Sequence, residues 1–187
     1  KAWTQDIYPL RQRFGMPVVG AWINTHRNLF FWLVSYEGTR EEYEATHREY
    51  GVTPIRTNTE YTAFTAKRED VWLTPVVPLA SRNGSGESPR TEQLRIYTIN
   101  RGMMDSWLKL FHEHLKPNHE KYGIPINAAW VNADRTEFIW VRSFDSVGDI
   151  QAKEAEYYSS PERIALGDQP QTHIAKTEVR IVEPTNP

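Results

Sequence analysis

His112, Glu113 and His114 put two imidazoles and a carboxylate in a row, the residue types of a metal chelate. On a helix, positions i and i+2 point about 200° apart, so the two histidines cannot hold one ion. His114 has another use. With Asn118 one turn on, it falls at the edge of an apolar stripe, where a histidine beside a neutral partner suits a general base that takes a proton from a phenol or an activated carbon. A satisfied core histidine is the commoner fate of such a residue. Arg142 interrupts the aromatic strand face Phe138, Trp140, Phe144. A lone cation there either stacks on the rings within an ion pair or meets an anionic ligand group. Arg95 and Tyr97 share one face of another strand. The candidate site is therefore His114 as base, with Asn118, Arg142, Trp140, Tyr97 and Arg95 around the ligand. His173, just before the last strand, is within reach of a pocket mouth.

Several chemistries are excluded by what the chain lacks. It has no cysteine, hence no disulfide, thiolate metal site or thiol nucleophile. It has no glycine-rich phosphate loop and no nucleophile elbow, so neither a metal nor a nucleotide cofactor is expected. The 22 basic and 24 acidic residues are scattered, which argues against a nucleic-acid partner. The longest apolar stretches, such as residues 29–34, are too short to span a bilayer, and no signal-peptide pattern opens the chain. A soluble, cytoplasmic protein is expected, and Asn83-Gly-Ser reads as a turn and not as a glycosylation site. Seven Trp, nine Tyr and seven Phe supply rings enough for a core and for an apolar pocket.

The elements that must position these residues come in two copies. Displaced by 108 positions, residues 1–38 fall on residues 109–146 with 11 identities in 38 pairs, among them Pro9/Pro117, Gly15/Gly123, Trp22/Trp130, Asn24/Asn132, Arg27/Arg135 and Trp32/Trp140. The tryptophan, asparagine and arginine pairs read as parts of a repeated hairpin. Ala66-Lys67 before Val71-Trp-Leu73 echoes Ala175-Lys176 before Val179-Arg-Ile181. The polar segment from Ser81 to Arg90 has linker composition. The expected domains are residues 1–79, a linker at 80–91, and residues 92–187.

The second copy reads completely. Leu94–Ile99 alternates as a strand, and Met104, Trp107, Leu108, Phe111, Leu115 and Tyr122 mark one face of a helix over 103–122. Strands follow at 126–132 and 137–144, the second apolar on both faces and so covered twice. A helix at 147–158 and a strand at 177–182 complete β-α-β-β-α-β, the split βαβ arrangement. The fold expected is α+β: two ferredoxin-like repeats whose antiparallel sheets pack against each other as an α–β barrel within one chain. Residue 1 already aligns inside the first helix, so the first repeat lacks its opening strand here, and an upstream continuation is expected because an unpaired sheet edge is a liability. Outer surfaces or sheet edges are the expected route to a homo-oligomer.

Glu92-Gln-Leu-Arg-Ile-Tyr-Thr98, the Trp130 strand, Phe138-Ile-Trp140 followed by Phe144-Asp-Ser146, and Tyr157-Tyr-Ser-Ser-Pro-Glu-Arg163 together resemble the NIPSNAP family of the dimeric α–β barrel superfamily. The likeness covers nearly all of the second repeat and, more faintly, residues 1 to about 77. It implies the barrel fold, relatives that include cofactor-free monooxygenases and isomerases, and a ligand seated between one unit's sheet and its helices. Two functions are expected from this. One is binding or conversion of a small hydrophobic or aromatic molecule without metal or nucleotide. The other is a non-catalytic scaffold for protein interaction, which needs a filled interior.

Overall fold

Pro9 and Pro117, 108 positions apart, interrupt the first helix of each repeat. A proline cannot donate to the carbonyl four residues back. Ahead of each, five residues widen into a π-helical turn, Trp3–Ile7 and Phe111–Leu115. The structure is a computed structural model and describes residues 2–58, 65–79 and 91–185. Nearly all of the expected linker, with its Asn83 turn, lies outside these. The chain divides into two compact units, Lys1–Asp70 with Thr185–Pro187, and Val71–Pro184.

In the first unit the π turn runs into α1 (Tyr8–Arg13), and an antiparallel hairpin follows, β1 (Val18–Asn24) and β2 (Leu29–Val34), with Trp22 opposite Phe31. The side chain of Asn24 accepts from the Arg27 N–H at 2.9 Å inside the turn. Helix α2 (Arg40–Gly51) begins with a capping box: the Glu42 N–H donates to Thr39 and the Glu42 carboxylate accepts from the Thr39 N–H. A short α3 (Pro54–Thr57) comes next. Leu10, Met16 and Tyr50 form the buried centre, flanked by Phe14, Val34 and Tyr36.

In the second unit the strands are β3 (Leu73–Val77), β4 (Thr91–Ile99), β5 (Ile126–Asn132), β6 (Glu137–Phe144) and β7 (Ile174–Pro184). Their antiparallel order is β7-β4-β6-β5-β3. The first four in that order are the split βαβ sheet expected of the second repeat. β3, which closes the first repeat in sequence, occupies the outer edge of β5 and leaves that edge paired. Both faces of β6 are buried, Phe138 and Trp140 on one and Ile139 and Val141 on the other. The β5–β6 turn is held by Asn132, whose Oδ1 accepts from the N–H groups of Thr136 and Glu137 at 2.9 Å each. Trp22/Trp130 and Asn24/Asn132 are thus hairpin residues in both units.

The helical layer is α4 (Met104–Leu110), the π turn, α5 (Lys116–Lys121), α6 (Asp149–Tyr158), α7 (Pro161–Ala165) and α8 (Gln169–Thr172). Here one expectation is corrected. In a continuous α-helix, steps of four residues drift about 40° around the axis. The wider loop of the π turn underwinds the helix and cancels that drift, so Trp107, Phe111, Leu115 and His119 all face the sheet and are buried. His114, expected there, is exposed, and Asn118 is half-buried. The chief core joins this face to the sheet through Tyr97, Phe138 and Trp140. The Phe111 and Phe138 rings meet at 4.7 Å.

Phe111 is the pivot of this packing, at 0% exposure. Phe111→Ala should cost about 3–5 kcal/mol in urea unfolding, whereas exposed His112→Ala should change stability by less than about 0.5 kcal/mol.

Candidate functional site

A cavity of about 170 Å³ lies within the second unit, between the sheet and the helical layer. β4 and β6 give its floor, Arg95, Tyr97 and Trp140; Trp107, Phe111, Leu115 and His119 come down from the first helical stretch. Tyr157, Tyr158 and Arg163, on α6 and α7, close another side. Of the residues expected at a site, Arg95, Tyr97 and Trp140 are brought together here. His114 and Asn118 do not line it. His173 is buried outside the lining, its Nδ1 at 2.8 Å from the Gln169 carbonyl and its Nε2 at 3.0 Å from Ser106 Oγ.

Behind the wall runs a polar network that holds it in place. Arg142 has 0% exposure. Its Nε donates to Gln93 Oε1 at 2.9 Å, its Nη2 to the Glu154 carboxylate, and its Nη1 approaches His119 Nε2 at 3.1 Å. The guanidinium also sits 5.6 Å from the Trp140 ring and 5.3 Å from Phe144. Of the two roles open to this cation, the ion-paired one is what the geometry shows. Arg95 shares the same acceptors: Nη1 donates to Gln93 Oε1 at 3.0 Å and lies 3.6 Å from Glu154, and Nε donates to Tyr97 Oη at 2.8 Å. Gln93 and Glu154 thereby sit between two neighbouring cations and offset their repulsion.

His119 is pinned from both sides. Its Nδ1 is 2.7 Å from the Leu115 carbonyl, which can only accept, and its Nε2 faces a guanidinium, which can only donate. The proton is therefore on Nδ1 and the Nε2 lone pair is occupied. Burial, and then the Arg142 charge, bring its pKa down to about 3. The ring packs on Tyr157 at 4.0 Å and edge-on to Trp140 at 5.3 Å. It is a neutral wall, and no free base at neutral pH.

What the cavity offers is hydrogen-bond donors. Burial raises the pKa of Tyr97 and that of Tyr157, so both remain phenols. Because Tyr97 Oη accepts from Arg95, its own proton is left to donate. His119, Gln93, Glu154 and Tyr157 were not expected at the site. The signals for them were present: Pro117, which rephases the helix, and the alternation Gln93, Arg95, Tyr97 on one strand face. Among the described residues no three His, Cys, Asp or Glu side chains gather as metal ligands, and no helix is long and apolar enough to cross a membrane.

This is an α+β architecture of known class. It is similar to a candidate monooxygenase from Lactobacillus acidophilus, 8% identical over 98% of this chain and 83% of that one, with a TM-score of 0.58. A second candidate monooxygenase, from Fusobacterium nucleatum, gives 7%, 98%, 83% and 0.56. At such identities the likeness shows the fold alone, that of the tandem ferredoxin-like α–β barrels. Residues 92–187 match the NIPSNAP family model, and the chain belongs to the NIPSNAP family. A NIPSNAP family protein from Agrobacterium tumefaciens is 21% identical over 55% of this chain and 92% of that one, at a TM-score of 0.50. No curated protein matches.

Two outcomes follow from the network. Arg142→Met leaves the buried His119 Nε2 without its donor and takes one of two cations from Glu154, and should cost about 1–3 kcal/mol in denaturant unfolding. The folded chain holds a proton on His119 less readily than the unfolded chain, whose histidine titrates near its ordinary 6.5. Stability is therefore full above about pH 6.5 and falls as the pH drops towards 3. His119→Gln should reduce the slope of stability between pH 5 and 6 by close to one proton, about 1.4 kcal/mol per pH unit.

Proposed function

We propose that the second unit binds a small, planar, largely aromatic molecule carrying an acceptor oxygen, with Arg95, Tyr97 and Trp140 as its contacts. The observation that carries this is the wall itself, rings on several sides with the Tyr97 O–H left to donate. Size supports it too: an apolar cavity of about 150 Å³ takes benzene, and this one is about 170 Å³. Tyr97 O–H, with its oxygen already accepting from Arg95, meets the ligand oxygen and polarises it. His119 only shapes the cavity, since its lone pair is engaged. Conversion would thus depend on polarising an oxygen and not on a histidine base. The description of the two fold neighbours as monooxygenases makes oxygenation the first reaction to try.

Thermal shift of the whole chain with benzoate, salicylate and 2-naphthoate, each added over a constant excess of acetate and phosphate so that any general anion site is already filled, tests the reading. One-ring acids should raise the melting temperature saturably, and the two-ring acid should raise it less. Arg95→Met should weaken the effect about tenfold, and His114→Ala should leave it unchanged. No shift with any acid, or shifts indifferent to Arg95→Met, would contradict it.

A further inference from the structure

The first unit holds the counterpart of the His119 position, with the chemistry changed. Displacement by 108 residues sets Arg11 on His119 and Trp32 on Trp140. In place of Tyr157 the first unit has Tyr50 at the end of α2, 1% exposed as Tyr157 is. In the second unit the middle member is a neutral ring with both nitrogens engaged. In the first it is a guanidinium, 2% exposed, lying 4.7 Å from the Tyr50 ring and 6.0 Å from that of Trp32.

That guanidinium is short of acceptors. Arg11 Nε and Nη1 are buried without a hydrogen-bond partner, and so is Tyr50 Oη. Each of the two forked edges of the guanidinium includes one of those orphaned N–H groups. Two further cations stand by the rings around it. Arg56 lies 5.3 Å from the Tyr50 ring, and Arg68 Nη2 is 3.5 Å from His47 Nε2. The Asp70 carboxylate, whose charge also reaches His47, is taken by Arg68 at 2.9 Å. His47, stacked on Tyr43 and 5.7 Å from Tyr50, feels the excess: burial first, then Arg11 and Arg68, lower its pKa. A buried cation and a buried phenol without acceptors are costly to keep, and an oxygen anion satisfies both at once in the geometry guanidinium groups favour.

We propose that Arg11, Tyr50 and Trp32 form a second binding site, in the first unit, for a small oxyanion: a carboxylate or phosphate group whose oxygens accept from one edge of Arg11 and from Tyr50 Oη. The site does not depend on the cavity of the second unit. Its two sources of anion, a carboxylic acid and a phosphate, respond to different probes.

The test is thermal shift of the whole chain titrated with acetate, inorganic phosphate and, as control, chloride at matched ionic strength. A saturable rise with acetate or phosphate and not with chloride is expected, and the better of the two names the group. The rise should persist in Arg95→Met, vanish in Arg11→Met and weaken about tenfold in Tyr50→Phe, which removes one donor and keeps the ring. Far-UV circular dichroism checks folding, and should Arg11→Met fail to fold, Tyr50→Phe decides. No saturable rise in the unaltered chain, a rise that survives Arg11→Met, or a Tyr50→Phe chain that responds unchanged would overturn the proposal.

Discussion

Arg142 carries a full charge to a point where none of its side chain meets water. Charge in such a place is tolerable when each guanidinium nitrogen has a partner, and the second unit supplies one to each. Gln93 on the neighbouring strand takes Nε, Glu154 on α6 takes Nη2, and His119 after the π turn takes Nη1. Three elements that are far apart in sequence are thereby fixed to one side chain. The cavity inherits its shape from that arrangement. Arg95 is set beside Arg142 by the same two acceptors, Trp140 lies under both cations, and the His119 ring spaces Trp140 from Tyr157.

A chemical consequence follows for the space enclosed. With His119 neutral and its lone pair engaged, what remains along the wall is aromatic surface and N–H or O–H groups. An environment of that kind distinguishes ligands by whether they bring an acceptor, because a molecule without one leaves the donors unpaired. Duplication has given the first unit the same positions and different contents: Arg11 stands where His119 does, and Val34 where Arg142 does. Without an Arg142 there is nothing in the first unit to require a neutral histidine at the middle position.

Much of the architecture was legible in the residues, because it rests on local rules. β-branched and aromatic alternation marked β4, β5 and β6, the recurrence of Asn24 and Asn132 marked two hairpins, and an apolar face on each side of β6 announced burial on both. The long-range pairing of β3 with β5 was not legible, since no local pattern says which open edge a strand will fill. Of the cavity, Arg95, Tyr97 and Trp140 could be seen as chemistry-bearing strand residues on an aromatic sheet face. His114 was placed by an ideal helical wheel that the chain does not follow. Pro117 shifts the helix into a π turn, and this turns His119 inward and leaves His114 in solvent. Arg142 could be found from sequence as an anomaly, but whether its partner was an acid or a ligand depended on Glu154, twelve residues later on another element.

The state of His119 is the point on which this account stands, and nitrogen-15 NMR of the histidine side chains reads it directly. The account predicts an Nδ1-protonated imidazole that keeps its neutral chemical shifts from pH 8 down to at least pH 5. A His119 signal showing the Nε2-protonated form, or one that titrates near pH 6.5, would contradict it.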